Sequence, residues 1–236
     1  DLEPWSGSLL KQNFTGPVRT LPVAEKVLSD QPAYTSSLLT NHHRAIADKN
    51  PTTDEFLQLH NSFIIAQNEN GYIVIHQQNA HERVLYERFH NAMKGKPIAI
   101  QRSLFPVVLE MTPADSVLMA ELIPDLNLLG YQVEPFGQNT FVIQGSPADI
   151  TDGNEKMALE KMIEQYKHFN MEASLSKREK LLRSMGWQQS VKAGTYLTEK
   201  ELKALVEDLF NCEINNTTAN GKPVFLEFKK EELDKM

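Results

Sequence analysis

Hydrophobic and polar positions in the first half of the chain centre on a hairpin signal. Apolar runs at residues 63–66 and 72–75 flank the dipeptide Asn70-Gly71. Asn-Gly between β-branched runs predicts a tight turn, because Gly accepts the positive φ that such turns need. The second run is apolar at consecutive positions, which predicts a strand buried on both faces.

A helical pattern follows this hairpin and ends at Gly95. Asn79 fits the N-cap of this helix, and Glu82, three residues later, fits the acid of a capping box. Apolar residues then recur at helical spacing, namely Leu85, Phe89, Ala92 and Met93. The pattern therefore predicts an amphipathic helix that leaves the hairpin directly.

Residues 98–150 have the pattern of strand, helix, strand and strand. Pro113 stands at the first helical position, Gly130 caps the helix, and Pro124 predicts a bend or a break within it. A sheet covered by helix on one face is the expected arrangement, and the class is α/β.

The last third of the chain alternates apolar stripes with helix-start signals. Residues 154–169 predict an amphipathic helix, and capping boxes at Ser176 and Thr198 open two more. Residues 224–228 predict a final strand. The whole pattern is a mixed α/β domain with no internal repeat.

Residues 1–53 lack this periodicity. Pro and Gly interrupt a segment that is otherwise rich in Ser, Thr, Asn and Gln, which predicts a flexible linker. His42-His43 has no acidic partner at ligand spacing and is expected to be a surface pair.

Composition narrows the function classes. The chain has 236 residues, 41% of them hydrophobic, and no apolar run that could span a bilayer, so we expect a soluble protein without a membrane partner. It begins at Asp1 without a leader, which we interpret as a piece of a longer cytoplasmic protein. One cysteine excludes a disulfide framework and a cysteine-rich zinc site. A net charge of -7 argues against strong binding to the DNA backbone by this chain alone.

The segment that joins the hairpin to its helix also resembles a known motif. His76-Gln77-Gln78-Asn79, two residues, Glu82, four residues and Glu87 match the frame of the nuclease motif in MutL C-terminal domains. That motif reads Asp-Gln-His-Ala, two residues, Glu, four residues, Glu. The Gln and both glutamates agree, whereas the Asp, the His and the Ala do not.

The resemblance continues in order over residues 54–236. A strand at 58–65 resembles the one that precedes the family motif. Residues 186–192 align with an Ala-Cys helix start, with Trp187 at the cysteine position. Residues 218–223 align with Cys-Pro-His-Gly-Arg-Pro and keep only the Gly and the Pro.

The resemblance implies an α/β (α+β) fold of two subdomains. Residues 54–94 plus 176–236 would form a dimerisation subdomain, and residues 98–172 an inserted regulatory subdomain. The implied function is DNA mismatch repair, as a homodimer coupled to the replication sliding clamp. MutS would be a partner through the full-length protein, DNA contact would be weak or indirect, and the location would be the cytoplasm, at the nucleoid. ATP and magnesium would belong to an upstream domain.

The clamp-binding segment of the family is Gln-x-x-Leu/Ile-x-Pro, which the stretch from Gln101 to Pro106 resembles, with Leu104 and Phe105 as apolar anchors. Pro106 keeps its neighbour out of helical conformation, so the stretch would bind as an extended peptide. The alternative is an edge strand whose apolar side chains lie in the core.

Family nucleases hold a divalent metal with carboxylate, His and Cys ligands that come from these three segments, and this sequence lacks most of them. We therefore expect no nuclease activity and no cofactor in this chain. The expected roles are a helix cap for Glu82, an exposed position or a pair with Arg83 or Arg88 for Glu87, and a packed thiol for Cys212.

Two alternatives remain open at this stage. A rearranged site could bind zinc or manganese through His76, His81 and Glu82 and nick DNA. An unrelated α/β ligand-binding domain would instead be a monomer with an enclosed pocket.

Overall fold

The computed structural model describes residues 51–52, 55–148, 150, 153–169 and 175–235. The predicted linker, residues 1–53, lies outside this part apart from Pro51 and Thr52. The elements in chain order are β1 (Phe56–Leu59), β2 (Phe63–Asn68), β3 (Gly71–His76), α1 (Gln77–Met93), β4 (Ile100–Glu110), α2 (Pro113–Leu128), β5 (Gln132–Gly137), β6 (Thr140–Pro147), α3 (Glu155–Phe169), α4 (Lys177–Gln189), α5 (Glu199–Phe210), β7 (Phe225–Lys229) and α6 (Lys230–Leu233).

The predicted hairpin is confirmed as β2 and β3, the central strands of an antiparallel sheet ordered β1-β2-β3-β7, which we call sheet A. Gly71 is required because the chain returns close to it. A Cβ on Gly71 would lie 2.1 Å from the Phe228 carbonyl oxygen of β7, and its φ is +156°. The turn signal therefore also marks where the last strand joins the sheet.

Only one face of β3 is buried, so the prediction of burial on both faces is wrong. Ile73 and Ile75 are fully buried, whereas Val74 between them is half-buried. The buried face packs on α5 and the start of α1, in a core that includes Leu205 and Leu209. On the other face of sheet A, Leu57 and Leu226 are more than half exposed.

The predicted strand over residues 58–65 is interrupted. His60 and Asn61 have φ values of 50° and 48°, and they form a tight turn between β1 and β2. Left-handed conformation is least costly for Asn and similar polar residues, which explains why the chain reverses here.

A second, three-stranded antiparallel sheet is ordered β4-β6-β5, and we call it sheet B. The helix predicted from Pro113 is confirmed as α2, but it continues through Pro124 rather than breaking there. Its buried residues Met119, Leu122 and Leu126 belong to the core beside sheet B, and this packing stabilises the helix on both sides of the proline.

Helix α1 connects the two cores. Ala80 at its start lies in the core of sheet A, while Leu85 and Phe89 lie in the core of sheet B. Helices α3 and α4 pack on the second core as well, and α4 contributes Leu181 and Met185 to it. The mixed α/β class is confirmed. The subdomain boundaries stay a prediction.

Candidate functional site

Three segments that are distant in sequence converge at the end of β3. They are residues 76–87, residues 186–192 at the end of α4 and residues 218–223 before β7. Asn79 Nδ2 donates to the Pro223 carbonyl oxygen at 2.8 Å. A Cβ on Gly186 would lie 3.3 Å from the Glu82 carbonyl oxygen, so α4 packs closely on α1. The convergence implied by the family resemblance is thus present, although most family ligands are not.

Helix α1 begins at Gln77, three residues earlier than predicted. His76 is the last residue of β3 and the N-cap of α1, and its Nδ1 accepts from the Asn79 backbone N–H at 3.3 Å. Burial and the nearby charge of Lys222 lower the pKa of His76, while a backbone hydrogen bond acts in the opposite direction. The lowered pKa favours the neutral form of the His76 imidazole. The prediction that Asn79 is the N-cap is therefore wrong.

Gln77, the glutamine retained from the family motif, is fully buried and serves the fold. Its side-chain oxygen accepts from Gln58 Nε2, and its Nε2 donates to the Thr195 carbonyl oxygen at 3.0 Å. Gln58 also bonds to Thr195 and accepts from the Leu197 N–H. Gln78 beside it is half-buried. The side chain of Gln77 thus links β1 to the loop before α5.

Glu82 does not cap the helix, so that prediction is wrong. It lies in the second turn of α1 at 3% exposure, and its Oε1 accepts from Asn220 Nδ2 at 3.2 Å. Burial raises the pKa of Glu82, and this rise is opposed by Lys222, Lys192, the Asn220 hydrogen bond and Arg183. A nearly inaccessible carboxylate is therefore surrounded by an amide and cations.

A hydrogen-bonded chain extends from Glu82 across the helices. Asn220 Oδ1 accepts from Arg183 at 3.0 Å, and Arg183 also donates to Glu179 at 2.7 Å. Tyr86 donates to Glu179 at 2.9 Å, and burial followed by this contact raises the pKa of Tyr86 to about 12. The sequence analysis did not predict this hydrogen-bond network, although the i,i+4 spacing of Glu179 and Arg183 is a signal for an ion pair.

The cysteine position of the family motif is filled by a cation–π pair. Lys192 Nζ lies 4.1 Å from the centre of the Trp187 ring and also contacts the Trp187 carbonyl oxygen. Burial lowers the pKa of Lys192, and Glu82 partly restores it. His81 lies next to this pair, where its Nδ1 accepts from the Val191 N–H at 2.9 Å, which leaves its proton on Nε2.

Glu87 points away from Glu82. It forms an ion pair with Arg83 at 3.1 Å and accepts from the Glu213 N–H at 2.9 Å, so the predicted pair is confirmed and the exposed alternative is wrong. Cys212 is half-buried nearby and donates to the Asp208 carbonyl oxygen. Burial, with the charge of Glu87, raises the pKa of Cys212 to about 12, as suits a packed thiol.

The residues present do not fit a catalytic divalent metal. Of the described residues, no three or more His, Cys, Asp or Glu side chains form a group that could hold one. Glu82 accepts a hydrogen bond from Asn220 and lies near cations. His76 and His81 each use Nδ1 as a hydrogen-bond acceptor. Metal ligands need free, converging lone pairs and a net negative set, which this arrangement does not offer.

The open face of sheet A is a second candidate site. The strand register places Leu57, Ile65, Val74 and Leu226 in one row across all four strands. Leu57 is 59% exposed and Leu226 is 56% exposed. Beside this row, Tyr72 and Phe228 stack with ring centres 5.0 Å apart. We call this surface the outer face of sheet A.

The predicted clamp segment lies in β4, an edge strand of sheet B. Leu104 is 91% exposed and Phe105 is 84% exposed, so the alternative that places them in the core is wrong. Pro106 is exposed too, whereas Gln101 is half-buried and pairs opposite Ser146. Clamp binding by these four residues stays a prediction.

Comparison with known proteins gives a consistent result. The family described as MutL C terminal dimerisation domain matches residues 56–197. The chain is 35% identical to the DNA mismatch repair protein MutL of Chlorobium limicola over 185 residues, 78% of this chain and 29% of that protein.

Two further relatives carry the same name. Identity is 32% over 203 residues to MutL of Prosthecochloris aestuarii, 86% of this chain and 33% of that protein. It is 30% over 232 residues to MutL of Chloroherpeton thalassium, 88% of this chain and 36% of that protein. The chain thus spans about a third of the length of these curated relatives. None of the described helices is long and apolar enough to cross a membrane. With the matched region covering the converging segments 76–87 and 186–192 and all of sheet B, this chain belongs to the MutL C-terminal dimerisation domain family.

Proposed function

We propose that this chain joins two copies of a MutL protein for DNA mismatch repair through the outer face of sheet A. The observation that carries the proposal is the exposed apolar row from Leu57 to Leu226. Contiguous apolar surface on a folded domain marks an interaction site. A two-fold axis brings the same patch of both copies together, which suits a flat apolar sheet face.

The proposal is tested by placing a charge in the row. We expect the parent chain to be a dimer at tens of micromolar in analytical ultracentrifugation and Leu226→Glu to be a monomer, because each copy would have to bury an unpaired carboxylate in an apolar interface. Val117→Glu is the matched control, since Val117 is 64% exposed on α2, away from sheet A. A monomeric parent, or a dimeric Leu226→Glu, contradicts the proposal.

We further propose that the dimer is coupled to the sliding clamp through Gln101 and residues 104–106. Two adjacent, almost fully exposed apolar side chains on an edge strand support this role, because they can enter a partner's pocket without unfolding the domain. Leu104→Ala combined with Phe105→Ala should weaken clamp binding at least about tenfold in surface plasmon resonance.

The matched control for the clamp test is Phe136→Ala. Phe136 is 68% exposed on β5, in the same sheet, and its loss should leave clamp binding unchanged. Equal clamp binding by the doubly substituted chain and the parent would show that the segment is only a strand.

We further propose that the whole protein has an upstream domain that uses ATP and magnesium, and that it contacts MutS. Contact of this chain with DNA would be weak or indirect. The setting would be the cytoplasm, at the nucleoid. The chain itself would have no nuclease activity, because Lys222, Lys192 and Arg183 surround Glu82 where a metal would be needed. Membership of the MutL family removes the alternative of an unrelated ligand-binding domain.

A further inference from the structure

The edge strand β4 detaches from its neighbour in the middle. It pairs with β6 on both sides of residues 103–106, and the register shifts between them. Only Gln144 of β6 lies opposite these four residues. Pro106 has no N–H to donate to a ladder, so it favours the detachment. We call residues 103–106 the β4 bulge.

The β4 bulge displays Leu104 and Phe105, which are 91% and 84% exposed. Backbone that has left a ladder regains conformational freedom unless other contacts hold it. A partner that binds such a segment must order it first, which lowers the affinity. The side chains that hold the bulge therefore affect how well it binds.

The contact that holds the bulge comes from the first residue of α3. Ser103 Oγ donates to Glu155 Oε1 at 3.4 Å, and Glu155 is only 2% exposed. Carboxylates are rarely buried to this extent without a close partner. The N-terminus of α3 favours a negative charge at this position, so the fold can keep the carboxylate there.

The stability of the fold does not explain why a carboxylate is buried at position 155. Glu155 Oε2 and the Ser146 hydroxyl are buried without a hydrogen-bond partner in the described part of the chain. Ser146 pairs opposite Gln101, which lies two residues before Ser103. Because paired residues and residues two apart share a face of a sheet, the side chains of Gln101, Ser103 and Ser146 lie on the face toward α3. Buried polar groups that lack partners lower the free energy of unfolding, and an apolar residue would be the more stable choice.

We propose that Glu155 is a positioning residue for clamp binding, which through Ser103 holds the β4 bulge in the conformation that presents Leu104 and Phe105. The inference rests on the clamp binding proposed above. A segment ordered in advance loses less conformational entropy on binding, so the contact raises affinity without touching the partner.

The test measures binding of the 236-residue chain to purified sliding clamp by surface plasmon resonance. We expect Glu155→Leu and Ser103→Ala to bind about three- to tenfold more weakly, the effect of losing one hydrogen bond. Glu155→Gln should retain the affinity of the parent, since its amide oxygen still accepts from Ser103. Glu160→Leu, which removes an exposed carboxylate from the same helix, is the matched control and should bind like the parent.

Two further readouts separate positioning from a merely structural role. Glu155→Leu should melt at or above the temperature of the parent although it binds more weakly, whereas a structural residue would lower both. Amide hydrogen exchange at Leu104 and Phe105 should be at least about threefold faster in Glu155→Leu and in Ser103→Ala than in the parent.

The outcomes are distinguishable. Variants that bind the clamp as tightly as the parent, with unchanged exchange in the bulge, overturn the role of Glu155. A parent chain that does not bind the clamp overturns the proposed clamp binding. In that case faster exchange in Glu155→Leu still supports positioning of the bulge, and unchanged exchange overturns it.

Discussion

At the scale of residues, the segment that resembles the family nuclease motif compensates a buried charge with neighbouring side chains of the same chain. Glu82, one of the two retained motif glutamates, is buried beside Asn220 and is near Lys222, Lys192 and Arg183. A buried carboxylate with cationic neighbours keeps part of its charge stabilised without any ion. The same residue that would ligate a metal in a nuclease therefore has a different environment here.

The raised pKa of Glu82 predicts how stability depends on pH. Since burial raises the folded-state pKa above the unfolded one, the folded state binds more protons between the two values, and stability falls as pH rises through this window. Glu82→Gln removes the ionisation, so we expect its Tm at pH 7 to be higher by about 2–4 °C, the effect of ~1 kcal/mol in a domain of this size.

Thermal melts of Glu82→Gln and the parent from pH 4 to pH 8 check this. The Tm difference should be smallest at the acid end and grow as pH rises. Glu160→Gln, an exposed site on α3, should show no such trend. A Glu82→Gln variant less stable than the parent at pH 7 would show that the ionised carboxylate stabilises the fold.

At the scale of elements, the close approach of β7 to the hairpin joins the C-terminal strand to sheet A. Gly71 pairs opposite Lys229, and the carbonyl oxygen of Phe228 occupies the space of a side chain at Gly71. The hydrogen bond from the Lys230 N–H to the Asn70 carbonyl oxygen closes the same corner. The strand that completes the outer face therefore depends on this glycine.

Gly71→Ala should destabilise the domain by about 2–4 kcal/mol, since its Cβ would meet backbone of β7 that cannot move aside easily. Gly194→Ala is the matched control. Its φ is also positive, at +90°, but nothing lies within 4 Å of the new Cβ, so only about 1–2 kcal/mol of backbone strain is expected. Urea unfolding measures the free energy of unfolding of both variants. An equal decrease in Gly71→Ala and Gly194→Ala would mean that the contact with β7 is not the cause.

At the scale of the whole molecule, one helix connects two cores, and the two proposed binding surfaces lie on the sheets of different cores. The outer face of sheet A has the apolar character of a dimer interface, and the β4 bulge projects from the other sheet. Helix α1 passes from one core to the other. A dimer built on sheet A would therefore leave both β4 bulges available to partners.

The whole chain should not nick DNA. We expect no manganese-dependent nicking of supercoiled plasmid, with or without the sliding clamp, because the site has too few anionic ligands to hold the metal that phosphodiester cleavage requires. A nuclease-active MutL C-terminal domain is the positive control. Nicking that survives purification and disappears in Glu82→Ala would instead favour a rearranged metal site.

Local sequence alone determined much of the element order. The hairpin at Asn70-Gly71, the full capping box of Thr198 and Glu201 and the helix from Pro113 all follow from neighbours a few residues apart. These signals act over one turn of helix or one hairpin, so they appear directly in the sequence. Which parts of the chain would meet was indicated by the family resemblance of the three motif segments and not by local sequence.

Tertiary structure decided what those elements do. Helix α1 starts at Gln77 rather than beyond Asn79 because His76 bonds to Val224, which is 148 positions away. Val74 is half-buried on the face that carries the exposed Leu57 and Leu226. Glu82 meets Asn220 only through the packing of the loop before β7 on α1. Such contacts join residues whose local sequences are independent of each other, so no nearby pattern predicts them, and they govern burial, charge environment and exposed surface.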